Sequence, residues 1–177
     1  MRKALVLLMM LIVIVGCSKK TDSLIKAQEK INNTGIHFNL PTFPNYSISY
    51  IHILHPPRDK SGQNMGSKVE VLVTYTDQLG ALEEVDLRGS DHEREIVYGP
   101  YKGETIIEVT LTNTMVGMEG SEQIKLNDQL IHVAQPDKDT RVYLYNSEKN
   151  ALTMTVDANQ ITDEEAKDYF RRIISEG

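Results

Sequence analysis

Residues 152–174, Leu-Thr-Met-Thr-Val-Asp-Ala-Asn-Gln-Ile-Thr-Asp-Glu-Glu-Ala-Lys-Asp-Tyr-Phe-Arg-Arg-Ile-Ile, carry both kinds of regular structure in one short span. Leu152, Met154 and Val156 recur at every second position, the period of a strand with one buried face. Ala166, Tyr169, Phe170, Ile173 and Ile174 then recur at i, i+3, i+4, i+7 and i+8, an apolar helical stripe. Between the two, Thr162-Asp-Glu-Glu165 reads as a capping box: the Thr162 hydroxyl accepts from the Glu165 N–H and the Glu165 carboxylate reaches back. Acids fill the first turn, and Arg171 and Arg172 are expected in the last, as the helix dipole prefers. A strand followed at once by an amphipathic helix predicts a helix lying on a sheet.

Working back along the chain, alternation predicts strands at Ile124–Leu126, Leu130–Val133 and Val142–Tyr145, with turns at Asn127-Asp128 and Pro136-Asp137. Ile107, Val109 and Leu111 form another, as do Val69, Val71, Val73 and Tyr75. A hairpin partner for the latter is expected through Glu84-Val85-Asp86-Leu87, and Asp91-His-Glu-Arg-Glu95 reads as a solvated turn. Tyr46, Ile48, Tyr50, His52 and Leu54 alternate with Ser47 and Ser49 as a half-buried strand. Ahead of it, residues 35–46 hold Pro41 and Pro44, which push their predecessors out of the α region and predict an extended, non-central segment. Leu24, Ala27 and Ile31 mark a helix of about ten residues that stops at Asn32-Asn33-Thr34-Gly35. No internal repeat or low-complexity tract interrupts the series. The expected fold is α+β, a curved antiparallel β-sheet with an N-terminal and a C-terminal helix packed on it, in a single domain over residues 24–177.

The first twenty residues point elsewhere. Arg2 and Lys3 precede an unbroken apolar run from Ala4 to Val15, the size of a secretory h-region. It is too short for a bilayer core, which needs roughly 20 helical residues. The run ends in Ile14-Val15-Gly16-Cys17, which resembles the lipobox of bacterial lipoproteins: an aliphatic residue three before the cysteine and a small one just before it. The resemblance implies cleavage between Gly16 and Cys17, a diacylglycerol on the Cys17 thiol, and a signal peptide over residues 1–16. Cys17 is the only cysteine, so neither a disulfide nor a zinc-ligand set is available. Two acyl chains suffice for stable anchoring where one does not. The expected location is the outer face of the cytoplasmic membrane. Residues 17–23 form the tether, in which Ser18 to Ser23 reach at most about 20 Å.

The chain has 19 basic and 25 acidic residues. Lys19 and Lys20, beside the lipid, face anionic headgroups; the acidic body is repelled, and nucleic acid is disfavoured as a partner.

A helix, then Phe38-Asn-Leu-Pro41-x-x-Pro44-Asn-Tyr46, then a Val/Thr/Tyr-rich strand ending in Tyr75-Thr-Asp77, resembles an uncharacterised extracytoplasmic domain of Gram-positive lipoproteins and anti-sigma factors. Arg141-Val-Tyr-Leu, Leu152-Thr-Met-Thr-Val156 and Ile161-Thr-Asp-Glu-Glu165 are similar to its C-terminal signature. That family looks distantly like the LolA-type lipoprotein carriers. The resemblance implies an inner sheet face able to accept an acyl chain or a peptide, and it brings no catalytic residues.

The remaining constellations are weak. His52 and His55 suggest a metal pair, but their odd spacing sends them to opposite faces of a strand. Asp91, His92, Glu93 and Glu95 offer metal-type ligands in a run that reads better as a solvated turn. There is no Gly-x-Ser-x-Gly elbow, P-loop or Rossmann turn. The polar stretch from Pro56 to Ser67 predicts a mobile loop and a contact site through Arg58, Asp59, Lys60 and Asn64. These observations lead to a non-enzymatic, membrane-anchored binding or envelope-stress module without cofactor or metal, engaging a peptide, a lipid or another envelope protein. The alternative is a cell-wall hydrolase using a carboxylate pair.

Overall fold

A computed structural model describes residues 23–85 and 93–176. The segment read as a signal, Gly16, Cys17, most of the expected tether, Asp91 and His92 lie outside them. Helix α1 (residues 23–32) is followed by the proline segment and then by eight described strands. They are β1 (Ser47–His55), β2 (Glu70–Thr76), β3 (Glu93–Tyr98), β4 (Ile107–Thr112), β5 (Glu122–Leu126), β6 (Gln129–Ala134), β7 (Thr140–Asn146) and β8 (Ala151–Asp157), and α2 (Asp163–Glu176) closes the chain. They form one open antiparallel sheet in the order β3-β1-β2-β4-β8-β7-β6-β5. The α+β class and the two helices packed on one sheet are as expected.

Register explains where the core sits. Ile51 lies opposite Val73, Val73 opposite Val109, Val109 opposite Met154 and Met154 opposite Tyr143, a row of five side chains across five strands. All five are fully buried. The same face receives Ala27 and Ile31 from α1, Ile36, Phe38 and Phe43 from the proline segment, and Ala166, Tyr169, Phe170 and Ile173 from α2. Phe43 meets Tyr75 edge-on at 4.7 Å between ring centres and Tyr169 at 4.9 Å, so strand, proline segment and helix share one aromatic contact.

Register also fixes the two ends of the sheet. Ser47 pairs with Thr76, Tyr75 with Ile107, Ile107 with Val156, and Thr140 with Asp157, which defines one end. Leu54, Glu70, Thr112, Ala151 and Asn146 define the other. Helix α1 finishes at the second end, where Asn33 and Thr34 adjoin His55 and Ser67. The return segment runs back beside it: Leu40 N–H donates to the Gln28 side chain at 2.8 Å, and the Tyr75 hydroxyl donates to the Pro41 carbonyl at 2.9 Å. The first residue of α1 therefore lies toward the first end, which is called proximal below because α1 begins there; the second is distal.

Several expectations change. The strand after β2 is not a hairpin partner at 84–87: residues 83–85 are not in a strand, 86 and 87 lie outside the described residues, and β2 pairs with β1 and β4. The reason is apolar area. Val85 is 39 % exposed, whereas Ile107, Val109 and Leu111 offer three buried side chains to the core face. Glu93 and Glu95 are not in a turn but begin β3, an edge strand, where charged side chains are well tolerated. In β1 a register shift between Ile48 and Tyr50 moves the core face onto Ile51 and Ile53 and sends Tyr50, His52 and Leu54 to the opposite face.

The α2 cap is half of a capping box. Glu165 N–H donates to Thr162 Oγ1 at 3.3 Å, while the Glu165 carboxylate instead accepts from the Tyr169 hydroxyl at 2.7 Å. Arg171 and Arg172 sit one turn before the end, because the helix runs on to Glu176; Arg171 pairs with Asp168. Asn127 and Asp128, with φ of 49° and 62°, make the two-residue turn between β5 and β6, where both positions need the left-handed region.

Candidate functional site

The stretch from Pro56 to Ser67 is knitted together rather than open. Asp59 Oδ1 accepts from Ser61 N–H, Ser61 Oγ and Gln63 N–H, while Asp59 N–H donates to the Gln63 carbonyl and Met65 N–H to that of Pro57. These donors hold the exposed Asp59 carboxyl below its usual range, the Ser61 hydroxyl first among them. Asp59 is thus spent on shaping the turn. Arg58 bridges to Asn64 through the backbone and pairs with Glu93 at 3.1 Å, and Lys60 is exposed. Asn113 clamps the far side, donating to the Ser67 carbonyl at 2.7 Å and accepting from Val69 N–H at 2.9 Å.

Between this loop, the end of α1 and β3 lies a distal cleft of about 500 Å³. Asn64 and Ser67 line it from the loop, Asn33 and Thr34 from the end of α1, and His55 from β1. Glu95 stands at its wall, its two oxygens taken by Lys30 at 2.6 Å and His55 at 3.1 Å. Lys30, then His55, hold the Glu95 carboxyl below its usual range. The lining is therefore charge-balanced and rich in uncharged hydrogen-bonding groups. Met65, in the loop, and Met115, in the neighbouring 113–121 segment, stand 66 % and 64 % exposed at the same end of the sheet. Exposed methionines are adaptable contact residues.

Of the expected contact residues, Asn64 faces the cleft, Arg58 and Asp59 support it, and Lys60 stands free of both roles. His55 and Glu95 come together there, and Glu93 is drawn off to Arg58. His52 lies on the opposite sheet face, only 5 % exposed, with Nδ1 lacking a partner among the described residues; burial, with Arg94 adding to it, pushes its imidazole down to about 4. Lys30, Asn33 and Thr34 were not foreseen, being far from the loop in sequence: Lys30 and Glu95 are 65 residues apart. Among the described residues, no group of three His, Cys, Asp or Glu is placed to hold a metal ion, and no helix is long and apolar enough to cross a membrane.

The inner sheet face is filled by the helices and the proline segment. Between Phe38, Leu111, Leu152, Ile173 and Ile174 lies an apolar hollow of about 160 Å³. Searched against protein-family models, curated proteins and solved structures, the chain matches none of them.

Proposed function

We propose that the chain is a non-enzymatic binding module, lipid-anchored through Cys17 on the outer face of the cytoplasmic membrane, that engages an envelope protein or peptide through its distal cleft. One observation carries the reading: a cleft of about 500 Å³, within the range of ligand sites, opens at the end of the sheet away from the arriving tether. Its asparagines, threonine and serine suit the alternating donors and acceptors of a peptide backbone. An acyl chain fits less well, because the inner-face hollow of about 160 Å³ is below that range. One open antiparallel sheet with two helices on one face also supports the resemblance to the extracytoplasmic domain of lipoproteins and anti-sigma factors.

A photo-crosslinking residue placed at Asn64 or Ser67 of the full-length chain in cells tests this. Both positions should capture the same species, and position Lys125, on the β5 edge, should not. Capture of nothing, or of the same species from Lys125, contradicts the reading.

A second reading, hydrolysis, is favoured by Glu108. Burial first, then the nearby Glu70 carboxylate, raises its carboxyl above the usual range. It lines a cleft of about 410 Å³ with Glu104, Asp139 and Asp157, and a buried acid near other carboxyl groups is what glycoside hydrolysis draws on. Turnover of purified wall glycan, abolished by Glu108→Gln, would establish it; no turnover by the wild-type chain would end it.

A further inference from the structure

The apolar hollow of about 160 Å³ lies at the distal end of the inner sheet face, where α2 finishes. Leu111 of β4, Tyr145 of β7, Leu152 of β8, and Ile173 and Ile174 of α2 wall it, with Phe38 of the proline segment on one side. Among the described residues no acid, lysine or arginine lines it, so an ionised group entering would be stranded without a counter-charge. An apolar cavity of about 150 Å³ admits a benzene ring; this one has room for one ring or one branched alkyl group. The β7–β8 turn beside it is held by its own bonds. Ser147 N–H and Oγ donate to the Asn150 carbonyl at 2.8 and 3.0 Å, and Asn150 N–H donates to Ser147 Oγ at 3.0 Å. The wall is therefore ordered before any ligand arrives, which spares a ligand the cost of ordering it.

The hollow adjoins the polar distal cleft. Asn33 and Thr34 line the cleft, and His37 and Phe38, four residues further along the same link, line the hollow. Val69 of the cleft stands just before β2, and Leu111 of the hollow faces Val71 in that strand. An extended segment of about four residues, at about 3.3 Å each, passes from one to the other. We propose that the hollow is the anchor pocket of the same site: an extended, uncharged peptide segment of another protein lays its backbone in the distal cleft and seats one leucine- or phenylalanine-sized side chain, about four residues away, in the hollow. The proposal rests on the reading of the cleft as a peptide site. An empty hollow forfeits the contacts of its walls, and a buried anchor in a preformed pocket is where binding energy concentrates. Lining chemistry refuses a charged anchor. In the cleft, Lys30 and Glu95 already neutralise each other, which leaves no net charge for a charged segment to match.

The test selects a phage-displayed library of twelve-residue peptides on the purified full chain in detergent and measures the enriched peptides by fluorescence anisotropy. They should share one Leu, Ile or Phe with uncharged polar residues about four positions to one side. Leu152→Phe, which fills the hollow, should weaken them by about tenfold or more. Ile174→Ala, which enlarges it, should keep binding and shift the selected anchor toward Trp, so the proposal stays testable if Leu152→Phe fails to fold by circular dichroism. Enrichment of no peptide, of peptides without an apolar anchor, or of the same anchors at the same affinity in both variants overturns it. So does a dimer in sedimentation that Leu152→Phe dissolves, which would assign the hollow to a second copy of the chain. In cells, capture from Asn64 and Ser67 that persists in Leu152→Phe overturns the anchor and leaves the cleft reading standing; no capture by the wild type ends both.

Discussion

The Tyr75 hydroxyl, at the end of β2, donates to the backbone carbonyl of Pro41 at 2.9 Å in a fully buried setting. This bond ties the non-helical proline segment to the sheet where no ladder can, and burial raises the phenol well above its ordinary range. Tyr75→Phe keeps the ring against Phe43 and removes only the donor. It should cost about 1 to 3 kcal/mol in denaturant unfolding, the cost of leaving a buried carbonyl unsatisfied, whereas Tyr75→Ala should cost about 3 to 5 kcal/mol. Equal losses in the two variants would assign the bond no role.

His52 sets a pH dependence. Its folded pKa, about 4, lies below the unfolded value of 6.5. The unfolded chain therefore binds more protons between those values. The contribution is complete above pH 6.5 and is lost as pH falls toward 4, by about 3 kcal/mol. Glu95, whose carboxyl is lowered, loses its contribution only as pH falls below the ordinary carboxylate value. Midpoints of urea unfolding between pH 7 and 4 should fall steeply in the wild type and more gently in His52→Gln. An unchanged slope in the variant would locate the proton elsewhere.

Gly99, at φ +69°, brings its backbone against β1: a Cβ there would clash with the Ser49 carbonyl oxygen. Gly99→Ala should destabilise by about 2 kcal/mol or more, seen as a lowered unfolding midpoint. Gly117→Ala, with nothing within 4 Å, should be nearly neutral by the same measurement.

Thr162 caps α2 through the Glu165 N–H. Thr162→Ala should cost about 1 kcal/mol. Glu165→Ala should act separately, by freeing the Tyr169 hydroxyl, so the double variant should show close to additive losses in thermal unfolding.

Local periodicity made much of the fold legible. The stripe Ala166–Ile174 and the alternations in β2, β4 and β8 each point one face to a core, and register in the structure aligns those faces. What stayed hidden depends on long-range pairing. The shift at Ile48/Tyr50 inverts the later half of β1, and no local pattern marks it. Glu93 and Glu95 read as a turn because their partners, Arg58, Lys30 and His55, come from other segments. The same non-locality hid half of the candidate cleft: Asn64 stood out as a polar loop residue, but Lys30, Asn33 and Thr34 become its neighbours only when α1 lies along β1. Asp59 looked like a contact group because a turn-forming carboxylate and a free one are alike in sequence.

Metabolic labelling with an alkyne fatty acid, on full-length wild type and Cys17→Ser in cells, tests the anchor most directly. The account predicts a labelled, membrane-associated mature wild type, and an unlabelled, unprocessed precursor for Cys17→Ser. Label and normal processing in Cys17→Ser, or none in the wild type, would contradict it.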